Sequence, residues 1–130
     1  MKQSVFKTVL LAIAFLLPSA AVCEAGEISG SNTAQAGRYQ YFFLESIRRQ
    51  SAGDMASAFE LLRHALEISP DAPEACFFMA MYLSEMRQDS LALVSLERAV
   101  DLSPNNEVYQ EKLAQFYIGT GNYDKAIDAY

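Results

Sequence analysis

The chain has 130 residues, 52% apolar and 20% charged, a balance that builds a packed core and excludes a disordered polymer. Its length allows one small domain. Sixteen acidic residues stand against ten basic ones, and Lys and Arg gather nowhere, which argues against a nucleic-acid partner because a phosphate backbone finds no basic patch.

In chain order, Lys2 and Lys7 precede an unbroken apolar run over residues 9–17, Pro18 breaks the run, and small residues follow from Ser19 to Val22. This is the pattern of a secretory signal peptide, residues 1–25, with cleavage expected between Ala21 and Gly26. The run is roughly half of the about 20 apolar residues that a membrane-spanning helix needs. It is also apolar on every face, whereas a buried helix of a soluble domain shows one stripe. Cys23 follows the small residues at the place where a bacterial lipoprotein signal, which this segment resembles, carries its lipidated cysteine. Val22 and Ala20 depart from that pattern, which favours a small residue before the cysteine and Leu two before that. Without residues 1–25, Cys76 is the only cysteine, so packing rather than an internal disulfide must stabilise the fold.

Residues 26–37 are small and polar with neither helical nor strand periodicity, and a flexible leader is expected there. Over residues 38–130 apolar side chains recur at helical spacing between Gly53, Pro70, Pro73, Pro104 and Gly121, and no stretch alternates as a strand does. The expected fold class is all-α.

The same residues recur at one offset. A shift of 34 carries Pro70 to Pro104, Ala58 to Ala92 to Ala126, Ala65 to Ala99, Leu62 to Leu96 to Tyr130, Ser46 to Ala80 to Ala114, and Gly53 through Arg87 to Gly121. With this period and these small residues, residues 39–130 resemble the tetratricopeptide repeat family. The resemblance implies a right-handed solenoid of helix-turn-helix units, here about 39–72, 73–106 and an incomplete 107–130, with the first helix of each unit lining a concave face.

Each unit has a physical rationale. Ala58, Leu61, Leu62, Ala65 and Leu66 form an apolar stripe at i, i+3, i+4, i+7 and i+8. Ala58 and Ala65, like Ala80 and Ala114 on the facing helices, are small where helices cross closely. Gly53 and Gly121 suit the left-handed residue after a helix, Asp54 and Asn122 suit the next N-cap, and Pro70 and Pro104 close the second helices. In unit two, Asp71 and Pro73 open the first helix, Cys76, Met79, Ala80 and Leu83 point inward from it, and Ala92, Leu96, Ala99 and Val100 point inward from the second. In unit one, Glu45 and Arg49 fall on core phases while Tyr39, Phe42, Phe43, Ser46 and Ile47 form the apolar stripe, so a helix rotated or slipped by one residue is expected. Unit three reaches Tyr130 part-way through its second helix, leaving Ala126, Ile127 and Tyr130 as an apolar edge; the expectation is a longer array or association through that edge.

Catalysis needs a nucleophile, a base and an orienting group, or metal ligands at usable spacing, and neither set is present, so no enzyme, cofactor or metal is expected. His64 reads as a surface histidine beside Arg63, Glu60 and Glu67; Cys76 reads as a small core residue; the carboxylates lie opposite the apolar stripes. What remains is a binding face: Phe43 and Ile47 with Gln50 in unit one, Phe77, Met81, Ser84 and Glu85 in unit two, and Val108, Glu111, Lys112 and Gln115 with Ile118 in unit three. One branch of the resembled family binds acidic chaperone tails through basic and amide side chains, but the matching places here hold Phe43, Ile47, Phe78 and Val108, with only Lys112 charged. An apolar groove on an acidic body suits an amphipathic helix or an extended apolar segment with basic flanks. The expected function is therefore protein binding in a bacterial cell envelope, in the periplasm or at the cell surface. The alternatives are a lipid-anchored subunit of an outer-membrane machine, held through Cys23, and a docking arm of a longer protein.

Overall fold

The computed structural model describes the backbone of residues 19–130 and the side chains from residue 30. The apolar core of the expected signal peptide, residues 9–17, and the Cys23 side chain lie outside the described residues. The helices are α1 Ser19–Ser51, α2 Met55–Ile68, α3 Pro73–Glu85, α4 Asp89–Leu102, α5 Glu107–Gly119 and α6 Tyr123–Ala129; no strand occurs among the described residues. None of these helices is long and apolar enough to cross a membrane. The chain divides after Gly37, and the second unit, residues 38–130, contains the repeats.

Residues 26–37, expected to be irregular, are instead helical as part of α1. Extending an existing helix gains one hydrogen bond per residue without a new nucleus, so poor helix formers can join one nucleated further along. Their lack of an apolar stripe shows in a different way: every side chain from Gly30 to Arg38 is exposed.

The 34-residue period is visible in the turns. The amides of Asp54, Gln88 and Asn122 donate to the carbonyls of Arg49, Leu83 and Tyr117 at 2.9, 2.9 and 2.8 Å, one equivalent closure per unit. Each needs a left-handed residue just before it, supplied by Gly53 at φ 82°, Arg87 at φ 60° and Gly121 at φ 77°. Asp54 caps α2 as expected, accepting from the Ser57 amide at 3.2 Å. Asn122 makes no such cap, and its amide donates instead to the Thr120 hydroxyl at 3.3 Å. Asn106 caps α5 twice, accepting from Val108 at 3.1 Å and Tyr109 at 3.3 Å. At the start of α3 Pro73 takes the first turn, where it loses no bond, and Asp71 turns away to pair with Arg98 at 2.9 Å.

The small residues lie where helices cross. Ala58, Ala65, Ala80, Ala92, Ala99 and Ala114 are all fully buried, as are Leu62 and Leu96 between them. Two clusters result, one joining α2, α3 and the start of α4, the other joining α3 to α6 through Ala80, Leu96, Leu113, Tyr117 and Ala126. A larger side chain at these alanines would have to displace a neighbouring helix.

Unit one is not slipped. Ser46 is fully buried at the phase of Ala80 and Ala114, and its hydroxyl is satisfied within α1 by the Phe43 carbonyl at 2.7 Å. Glu45 and Arg49 hold the phases of Met79 and Leu83, but here those phases face an open groove with Tyr41, Ser57, Glu60 and His64. An ion pair at 3.0 Å therefore replaces apolar packing. At the other end Ala126 is buried, while Ile127 and Tyr130 are 73% and 78% exposed, although Tyr130 shares its phase with the buried Leu62 and Leu96.

Candidate protein-binding face

The first helices carry a row of rings that runs from α1 across the N-terminal halves of α3 and α5, and a groove lies between α3 and α5. In the row, Tyr39 stacks on Phe43 at 5.7 Å, Phe43 meets Phe78 edge-on at 5.6 Å, Phe78 meets Phe77 at 5.9 Å, and Phe77 stacks on Tyr109 at 4.7 Å. The Tyr39 hydroxyl donates to Glu74 at 2.7 Å, which ties α1 to α3. Burial first, and the Glu74 carboxylate second, push the Tyr39 hydroxyl well above the usual tyrosine range. Burial also raises the Tyr109 hydroxyl.

The groove lies between α3 and α5, with a volume of about 460 Å³. Met81, Ser84 and Glu85 form one wall, Lys112, Gln115, Phe116, Gly119 and Thr120 the other, and Asp89 at the start of α4 stands at its end. Met81 and Phe116 are half-buried and give it an apolar lining; Glu85, Asp89 and Gln115 are exposed at its edge.

Five of the twelve residues expected on the binding face meet in this groove: Met81, Ser84, Glu85, Lys112 and Gln115. Phe77 is on α3 but stacks on Tyr109, Phe43 is on α1 and packs on Phe78, and Ile47, also on α1, is half-buried. Val108 is 62% exposed and lies apart from the groove, and Glu111 lines a separate recess with Glu107, Gln110, Ala129 and Tyr130. Asp89, Phe116, Gly119 and Thr120 were not anticipated. A rule that assigns ligand contacts to the exposed side of first helices passes over Asp89, which begins a second helix, and Phe116, whose ring is shared between core and groove.

The groups with chemical potential elsewhere are structural. Cys76 is buried, its thiol faces the Pro70 carbonyl at 3.9 Å, and burial raises its pKa, so the reactive thiolate is disfavoured. His64 sits on the surface against Glu67 at 3.1 Å. Tyr117 donates to Glu97 at 2.5 Å, and burial followed by that carboxylate pushes it up to about 12. No group of acidic, His and Cys side chains able to hold a metal occurs among the described residues.

Residues 73–106 and 109–130 match the tetratricopeptide repeat family. The human PEX5-related protein is 31% identical over 87 residues, covering 67% of this chain and 14% of that protein; the mouse PEX5-related protein is 29% identical over the same length and covered to 15%. The chain thus spans a small fraction of the curated relatives it matches. Among solved structures, a mutant O-GlcNAc transferase from Thermobaculum terrenum aligns with a TM-score of 0.66 at 24% identity, over 73% of this chain and 18% of that one. MamA aligns with a TM-score of 0.65 at 22% identity, over 78% of this chain and 60% of that one. At these identities the likeness is one of fold, and the transferase's chemistry does not come with it. The repeated closure of the turns, the buried alanines at one phase and these matches together identify residues 73–130 as tetratricopeptide repeats, the repeat of a family of helical protein-binding scaffolds, and the turn at Gly53 closes in the same way.

Proposed function

We propose that the chain is an exported scaffold of a bacterial cell envelope, working in the periplasm or at the cell surface, and that it holds a peptide or helix of a partner protein against the first helices of its units. The observation that carries the binding face is the groove between α3 and α5, lined by Met81, Ser84, Glu85, Lys112 and Gln115, side chains on a packed scaffold that the core does not require. Export rests on the charged, apolar and small-residue order of residues 1–25. A photo-activated cross-linker placed at Gln115 tests the face, with one at Val94, exposed on α4, as the control. Discrete adducts from position 115 and none from 94 support the reading; equal labelling from both defeats it.

The position of Cys23 favours a second reading of the anchor, in which the same scaffold is held at a membrane by a lipid on that cysteine. Metabolic labelling with a fatty-acid analogue decides it: incorporation that is lost in Cys23→Ser supports the anchor, and no incorporation in the parent rejects it.

A further inference from the structure

Ion pairs take up part of the charge of the array, while other charges among the described residues, Arg87 and Asp101 among them, stay unpaired. Arg48 and Arg49 pair with Glu45, Arg63 with Glu60 and Glu67, and Arg98 with Asp71. None of these pairs is at the groove. Among the described residues, Glu85, Asp89 and Lys112, which line it, take part in no ion pair. Along α3 and α5 the charged side chains are Glu74, Glu85, Glu107 and Glu111 against Lys112 alone, so the helices forming both walls carry an acidic excess. Between them lies the apolar lining of Met81 and Phe116, which lowers the local dielectric and strengthens the pull on an incoming cation.

We propose that the groove takes a basic segment of a partner protein, with an apolar side chain seated on Met81 and Phe116 and an adjacent Arg or Lys held by Glu85 and Asp89. This rests on the concave-face reading above and names its partner's chemistry. An apolar anchor accounts for the lining, and a cation is the complement of two unpaired carboxylates facing one ammonium. A long aliphatic stem with a charged head meets both needs at once. An acidic segment would bring its charge to Glu85 and Asp89 with only Lys112 to oppose them. Gly119 leaves the far wall low: a Cβ added there meets nothing within 4 Å, so a side chain at 119 starts from open space beside the groove.

The test uses the full chain and two labelled synthetic peptides with the same apolar stripe, one flanked by Arg and the other by Glu, followed by fluorescence anisotropy at physiological salt. The Arg-flanked peptide is expected to bind at least about tenfold more tightly. Glu85→Lys combined with Asp89→Lys should reverse that order, whereas Asp101→Lys with Asp128→Lys, exposed on α4 and α6, should leave it in place. Gly119→Phe should weaken the Arg-flanked peptide, with circular dichroism checking that every variant is folded. Equal binding of the two peptides, no binding by either, or a preference that the outer-face swap alters as much as the groove swap overturns the proposal. If the parent binds the two peptides equally and Gly119→Phe weakens both, the groove reading stands and the cationic preference falls. If it weakens neither, the concave-face reading falls as well.

Discussion

Arg87 adopts φ 60° at the phase where the other two units place Gly53 and Gly121. A residue with a Cβ pays about 1–2 kcal/mol in that region, and here the Gln88 amide must still reach Leu83 to close the turn. Arg87→Gly is therefore expected to stabilise the fold by about 1 kcal/mol, after allowing for the larger conformational entropy of glycine in the unfolded chain. Urea denaturation checks it, and a lower midpoint for the variant would reject it. Glu45 makes a different prediction. Arg48 first, and Arg49 second, hold its carboxyl down at about 2 against an ordinary 4.5, so the folded state favours the charged form. Stability from this source is fully present above pH 4.5 and is lost as the pH falls towards about 2. Glu45→Gln should be less stable than the parent at neutral pH, and the gap should close on acidification through that window. A gap of constant size from neutral pH to about 2 would contradict the pairing. Sequence showed Glu45 and Arg49 as charges on core phases; it did not show that this side of α1 opens into a groove, because that depends on which neighbouring elements cover it.

At the scale of the helices, α4 is held through Ala92, Leu96 and Ala99, all fully buried against their neighbours. Ala92→Leu adds volume where helices already touch and should cost about 1–3 kcal/mol. An unchanged melting temperature would show that the crossing has room. The caps provide a contrast at the helix ends. Asn106→Ala removes two accepted backbone bonds and should cost about 1 kcal/mol, whereas Asn122→Ala, which removes no cap, should lie within roughly 0.5 kcal/mol of the parent. Equal losses at both sites would show that Asn122 caps α6 in solution. The helices and turns were legible in the sequence because Ala58, Ala92 and Ala126, or Gly53 and Gly121, repeat at one spacing, and that spacing already encodes which faces meet. That Asn122 leaves α6 uncapped was not legible, since an Asx side chain serves either its own turn or the following helix according to backbone angles set by the turn itself. Five of the nine groove-lining residues were readable for the same reason as the core: Met81 and Gln115 share a phase. Phe43 and Phe77 were assigned to ligand contact because their phase is right, but rings on adjacent first helices reach one another before they reach a ligand.

At the scale of the molecule, burial among the described residues falls off towards α6. Six residues of α3 are buried, while α6 spans seven residues and buries only Ala126. A helix this short has little stability of its own, so its amides should exchange with solvent at least about tenfold faster than those of α3. Equal protection would mean that the repeats open only as one cooperative unit. The first helices are joined unevenly along their lengths. Tyr39 with Glu74, and Phe77 with Tyr109, join neighbours near the starts of α3 and α5, and the groove separates their far ends. They resemble the ribs of a fan riveted near the handle. A tilt of about 5° at the rivet moves the tip of a 13-residue rib by about 2 Å. The far ends of α3 and α5 are thus where a small tilt has the largest effect on the groove, within the limits set by the core that Ala80 shares with Leu113 and Tyr117. Such a mouth discriminates poorly between large and small anchors, which leaves the sign of the neighbouring charge as the stricter criterion for admission.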